Sequence, residues 1–208
     1  MPLVRKPAGS TPPAVAPTQD LASGLASPGE DARWMAARDA AGVQGCADML
    51  AAALRVETSP RVREALFMSL ARTGDAPSVD ALQSLLRSDA AHLRTGALDA
   101  LRLVVAAVPA ILSPMLRDHD ADIRILSCEL ARTLPAGVAT AHLNALLRDE
   151  TEPNVCAAAI DVLAEVGDGD ALPALAECAA RFQATPFLSF AARVAAERIR
   201  ARVPPTRA

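Results

Sequence analysis

A short phrase returns along the chain at an almost constant interval, and a chain built that way has few folds open to it. The phrase is an aliphatic residue followed by arginine just after a turn. It stands at Val62-Arg63, Leu93-Arg94 and Ile123-Arg124, with Ala32-Arg33 as a weaker first copy, and the intervals between the arginines are 30, 31 and 30. Val155-Cys156 continues the series at an interval of 32 and Phe187-Leu188 at a further 32, both without the arginine. A second phrase, Leu-Arg, runs about eight positions ahead of the first. It occurs at Leu54-Arg55, Leu86-Arg87, Leu116-Arg117 and Leu147-Arg148, spaced 32, 30 and 31. Two registers with one period mark stacked units, each covering its neighbour's apolar face.

Each unit reads as two helices. Take the arginine of the phrase as the alignment position. Three, four and seven places after it stand apolar or small side chains, such as Leu66, Phe67 and Leu70 or Ala159, Ile160 and Leu163. That spacing is one face of a helix. The first helices carry the same stripe, as in Leu82, Leu85 and Leu86 or Leu143, Leu146 and Leu147. Pro28, Pro60, Pro153 and Pro186 fall between the two helices of a unit. Gly74-Asp75 and Gly167-Asp168 fall between units, glycine as a left-handed stop and aspartate as the next N-cap. The predicted pairs are 19–27 with 31–42, 46–56 with 60–73, 77–87 with 91–105, 108–117 with 121–134, 138–149 with 154–166, and 169–183 with 186–202. Pro114 is expected to kink or shorten its helix. Forty-seven alanines in 208 residues and 2% aromatics suit close helix packing and leave little material for a sheet. The expectation is an all-α superhelix of about six two-helix repeats over 19–203. Residues 1–18, rich in Pro and Ala, read as a disordered tether, and 204–208 as a disordered tail.

On these residues the chain resembles the HEAT repeats, and most of all their short phycobilisome-lyase-like subtype. The likeness is strongest in Val166-Gly-Asp-Gly-Asp-Ala-Leu-Pro-Ala-Leu175, then in Val62-Arg63 through Thr73-Gly74-Asp75, and covers about 20–202. The resemblance implies a ladder along the stack in which a turn acid pairs with a helix arginine. Asp31 with Arg33, Asp89 with Arg94 and Asp122 with Arg124 would carry it here, with Arg63 in the same column. Cys156 and Leu188 depart from the pattern, so the ladder is expected to stop before the fifth unit.

Motifs that carry chemistry are scarce. His92, His119 and His142 belong to no H-E-x-x-H, and Asp118-His119-Asp120, the best local metal candidate, lies in a solvent-rich turn. HEAT-like deoxyhypusine hydroxylases hold iron with His-Glu pairs, whereas Leu, Asp and Leu follow the histidines here. There is no G-x-S-x-G, no glycine-rich phosphate loop and no Ser/His/Asp set in context. No catalytic residue, metal or cofactor is expected. Cys46, Cys128, Cys156 and Cys178 form no C-x-x-C and read as buried, reduced thiols. Between 19 and 192, fourteen arginines face 23 acids, a net charge of −9 that would repel a phosphate backbone. That argues against the mode of HEAT-like DNA glycosylases and any nucleic-acid partner. The longest uncharged apolar stretch runs only from Leu103 to Leu116 and holds two prolines, too short to span a bilayer. With no signal-peptide core in 1–18, the reading is a cytoplasmic monomer without a membrane contact.

Solenoids bind along the concave face, lined by the second helix of each pair, and residues one and five after the alignment position should point there. The first column is Trp34, Glu64, Thr95, Ile125, Ala157 and Ser189; the second is Arg38, Met68, Asp99, Glu129, Asp161 and Arg193. Asp99, Glu129 and Asp161 form an acidic stripe at steps of ~10 Å, with Trp34, Met68 and Ile125 as apolar anchors. The chain therefore reads as a non-enzymatic scaffold or adaptor, in a bacterial signalling or assembly setting, that takes a basic helix or peptide of another protein into an acidic groove. The alternative is a lyase-like accessory protein that holds a modified protein or a tetrapyrrole. Phe182, Phe187 and Phe190 are expected as core or cap of the last unit, with Arg198, Arg200, Arg202 and Arg207 complementing a helix C-terminus.

Overall fold

The computed structural model describes residues 18–202. The chain forms α1 (Thr18–Leu25), α2 (Glu30–Asp39), α3 (Ala47–Val56), α4 (Pro60–Thr73), α5 (Ala76–Leu85), α6 (Ala91–Leu103), α7 (Val108–Met115), α8 (Ala121–Ala131), α9 (Ala136–Asp149), α10 (Pro153–Val166), α11 (Leu172–Arg181) and α12 (Pro186–Arg202). There is no strand among the described residues. Odd-numbered helices make one layer and even-numbered helices the other, with α2, α4, α6, α8, α10 and α12 stacked in sequence order. The tether and tail assignments fall outside the described residues, except for Thr18, which opens α1.

Turn chemistry sets several of the boundaries. Ser59 caps α4 by accepting from the Val62 N–H at 3.4 Å, and Pro60 supplies the first helical residue. Gly74 ends α4 at φ +58°, and the Asp75 carboxylate then accepts the Ser78 N–H at 3.0 Å to start α5. Gly167 differs from the expectation: it is extended, at φ −66° and ψ 157°. Glycine is needed there for space, because a Cβ would fall 2.6 Å from the Leu163 carbonyl oxygen. Asp168 caps a 3₁₀ turn, Gly169–Ala171, so α11 starts three positions later than predicted. The second helices α2 and α8 end three positions early, because their last turns tighten into i→i+3 bonds such as Val43 N–H to Ala40 O and Leu134 N–H to Ala131 O. Pro114 sits in the last turn of α7, a helix of just over two turns.

The core follows the predicted stripe. Every residue three, four and seven after the alignment position is buried, from Ala36 to Ala195, except Ala191. The four cysteines are free and buried among these side chains, and burial pushes the Cys128 thiol up to about 12. The last unit departs in register. Leu188 is fully buried where Val62, Leu93, Ile123 and Val155 are buried, while Phe187 is 54% exposed. The last unit therefore aligns one position later than the phrase count gave, with Leu188 in the column of Val155. Phe187 and Phe190 consequently lie on the surface, not in core or cap, and Phe182 is half-buried. The same slip puts Arg193, a polar residue, at the position of the buried Phe67, Leu98 and Cys128, on the outer face of the last described unit.

Candidate interaction surface

An inter-repeat ladder exists, built from other acids than those expected. Ser27, Glu57, Ser88, Asp118 and Glu150 occupy one position, the turn between the two helices of each unit. Each side chain accepts the N–H two residues on: Ser27 from Gly29 (3.3 Å), Glu57 from Ser59 (2.8 Å), Ser88 from Ala90 (3.2 Å), Asp118 from Asp120 (3.0 Å) and Glu150 from Glu152 (2.9 Å). The arginines then lock the turns. Arg33 donates to the carbonyls of Ser27 and Pro28, Arg94 to those of Ser88 and Asp89, and Arg124 to those of Asp118 and His119. Arg33 and Arg124 also reach into the next unit, each bidentate to a carboxylate: Nε to Glu57 and to Glu150 at 2.7 Å, Nη2 at 3.1 Å. Asp118 is taken instead by Arg87 of the Leu-Arg register.

The pairs Asp31/Arg33, Asp89/Arg94 and Asp122/Arg124 do not form. Residues two apart on a helix point away from each other, and Asp89 offers Arg94 only its main-chain oxygen. Asp31 pairs with Arg61 at 2.6 Å, and the Asp122 N–H is held by Asp120. The last acid is Glu150, held from the fourth unit. Beyond it, Arg181 donates to the carbonyls of Leu147, Arg148 and Glu150, while Arg202 closes α10 on those of Ala164, Glu165 and Gly167. The arginine pairing holds Glu57 and Asp118 below their ordinary carboxylate values. Burial opposes ionisation of Glu150, yet Arg124 and two backbone N–H groups still bring it below its ordinary value. Asp118-His119-Asp120 is absorbed by these duties, and no group of three or more metal-ligating residues forms among the described residues.

The face of the even-numbered helices carries two adjoining grooves. One, of about 290 Å³ between α2 and α4, is lined by Trp34, Arg38, Arg61, Met68 and Arg72. The other, of about 640 Å³ between α4 and α6, is lined by Arg63, Phe67, Met68, Thr95, Gly96 and Leu103. Glu64 and Met68 border both. Gly96 makes the floor possible, since a Cβ there would sit 2.2 Å from the Phe67 ring. Of the residues singled out from sequence, Trp34, Arg38, Glu64, Met68, Thr95 and Asp99 meet at these grooves; Ile125, Glu129 and Asp161 lie further along, outside them.

Three of those assignments change in character. Trp34 is no bare apolar anchor, because Arg38 and Arg61 stack on its ring at 4.5 and 4.2 Å from the centroid. Ile125 is half-buried against the core. The acidic stripe is an ion-pair chain: Arg102 bridges Asp99 (2.9 Å) and Glu129 (3.0 Å), and Arg132 bridges Glu129 (3.0 Å), Asp161 (2.5 Å) and Glu165. Arg102 and Arg132 stand three places after Asp99 and Glu129, a spacing that meets on a helix and was readable from the sequence. Leu103, 58% exposed, was missed for a similar reason: it follows Asp99 by four places and extends the same column.

Residues 18–102, the first three units, match the family model for HEAT repeats. Among solved structures, an engineered protein is similar at 18% identity and a TM-score of 0.42, covering 88% of this chain and 96% of its own. A designed armadillo repeat protein is similar at 16% identity and a TM-score of 0.40, covering 86% and 98%. No curated protein matches the chain. The HEAT match and the two-layer helix stack make this an all-α repeat solenoid. No helix among the described residues is long and apolar enough to cross a membrane.

Proposed function

We propose that the protein is a non-enzymatic scaffold that binds a segment of another protein across α2, α4 and α6. The observation that carries this reading is the α4–α6 groove, where Phe67 and Gly96 form a floor and Met68 and Leu103, 41% and 58% exposed, form an apolar rim. Covering such side chains contributes about 1.5–3 kcal/mol each when burial is complete. A helix or extended peptide laid across neighbouring units is the natural occupant. Steering by Asp99, Glu129 and Asp161 toward a basic helix is the weaker part of the sequence reading, because Arg102 and Arg132 already match those acids.

The test compares the full chain with a Met68→Glu/Leu103→Glu double variant as baits, with mass spectrometry of what each retains. Both side chains are exposed, so the variant should fold, and a specific partner should be depleted by about tenfold or more. Equal retention by both baits rejects the groove. A visible absorption band in the purified protein would favour the pigment-holding alternative instead.

A further inference from the structure

Every interior joint among the first five units has one turn position facing the preceding unit, and in three of the four it is an acid: Glu57, Asp118 and Glu150. At the joint between the second and third units it is Ser88. Its hydroxyl keeps the turn by accepting the Ala90 N–H, but it brings no charge. Two arginines are left over there. Arg55 reaches only the Ser84 hydroxyl, at 3.4 Å. The Arg63 side chain makes no hydrogen bond or ion pair within the described residues, although the side chains of Arg33, Arg94 and Arg124 in the same column all hold main-chain carbonyls. Arg63 lies instead in the wall of the α4–α6 groove, half-buried beside Phe67, Thr95 and Gly96.

A half-buried guanidinium without an acceptor is unfavourable, and a carboxylate at position 88 would relieve it as Glu57 does for Arg33. A guanidinium left without an acceptor in the wall of an open groove is free to take a carboxylate from a ligand. The planar fork of Arg63 suits a carboxylate in two-point contact. The adjoining groove adds Arg38 and Arg72 beside Arg61, which Asp31 holds; of the two acids lining the α4–α6 groove Asp99 is held by Arg102, and Glu64 stands exposed at the border of the two grooves. We infer, building on the scaffold reading above, that this groove takes an acidic, leucine-rich segment of a partner protein. A Glu or Asp carboxylate lies on Arg63, and aliphatic side chains cover Phe67, Met68 and Leu103. The apolar floor favours such a peptide over a phosphate backbone.

The test uses the full chain and three acetylated, amidated twelve-residue peptides that alternate pairs of Leu with pairs of Glu, Gln or Lys. Trp34, the only tryptophan, reports from the adjoining groove, and calorimetry measures affinity. The Glu peptide should bind about tenfold or more tightly than the Gln peptide, and Arg63→Gln should erase the difference. Ser88→Glu should raise Tm and weaken the Glu peptide by a similar factor, because the new carboxylate captures Arg63. Equal affinity for the Glu and Gln peptides, preference for Lys, no binding of any peptide, or a stabilised Ser88→Glu protein that binds as before would each overturn the inference. If Met68→Glu/Leu103→Glu loses the partner while Arg63→Gln and Ser88→Glu keep it, the scaffold reading stands and the carboxylate assignment falls.

Discussion

Glu57, Asp118 and Glu150 each do two jobs, holding the N–H two residues on and taking an arginine across a joint. A serine in their place does the first job and leaves the second undone, so one side chain decides whether two units are tied. All three acids titrate below their ordinary values when folded. The native state thus binds fewer protons than the unfolded chain in the acid range. The stabilisation is complete above the ordinary carboxylate values, 4.5 for glutamate and 3.8 for aspartate, and is lost as pH falls through them toward the folded values. Urea midpoints should fall steeply below about pH 4.5 in the wild type and more shallowly in Glu150→Gln. At pH 7 that variant should be destabilised by roughly 2 kcal/mol, since Arg124 is left half-buried against a neutral amide; a urea titration measures both.

Among the helices, α4 and α6 show how a local preference is overruled by a neighbour. Gly96 in the interior of α6 is worse than alanine for an isolated helix by ~1 kcal/mol, and a helix-propensity argument would replace it. Its Cβ would meet three atoms of the Phe67 ring at 2.2–2.6 Å. Gly96→Ala should therefore destabilise the protein by about 1 kcal/mol or more through overpacking, which thermal unfolding reads directly. A rise in Tm would mean that the ring swings aside freely. Helix identity and pairing were legible in the sequence because the apolar stripe repeats at the period of the backbone. The register of the last unit was not. Phe187 and Leu188 are adjacent and both apolar, and only packing decides which of them faces inward.

For the molecule as a whole, stability is distributed over units and the joints between them. The stack is closest between α10 and α12 and loosest between α6 and α8, where the connecting α7 is short and carries Pro114 in its last turn. Local opening should be easiest there. Amide hydrogen exchange should thus be faster in α7 than in α4 or α10, the central second helices of each half; equal protection along the chain would contradict it.

The near-constant period, the two-helix unit and the buried stripe follow from the sequence alone, because they rest on contacts within a helix and on spacing that any unit repeats. Which acid meets which arginine, which arginine meets none, and where a groove opens were decided by the tertiary structure. The partners lie far apart along the chain, from Arg33 to Glu57 and from Arg87 to Asp118, and meet only across a joint. A long side chain at a joint chooses among carboxylates on neighbouring elements by small differences in how the units stack, and that geometry is set by the packed whole.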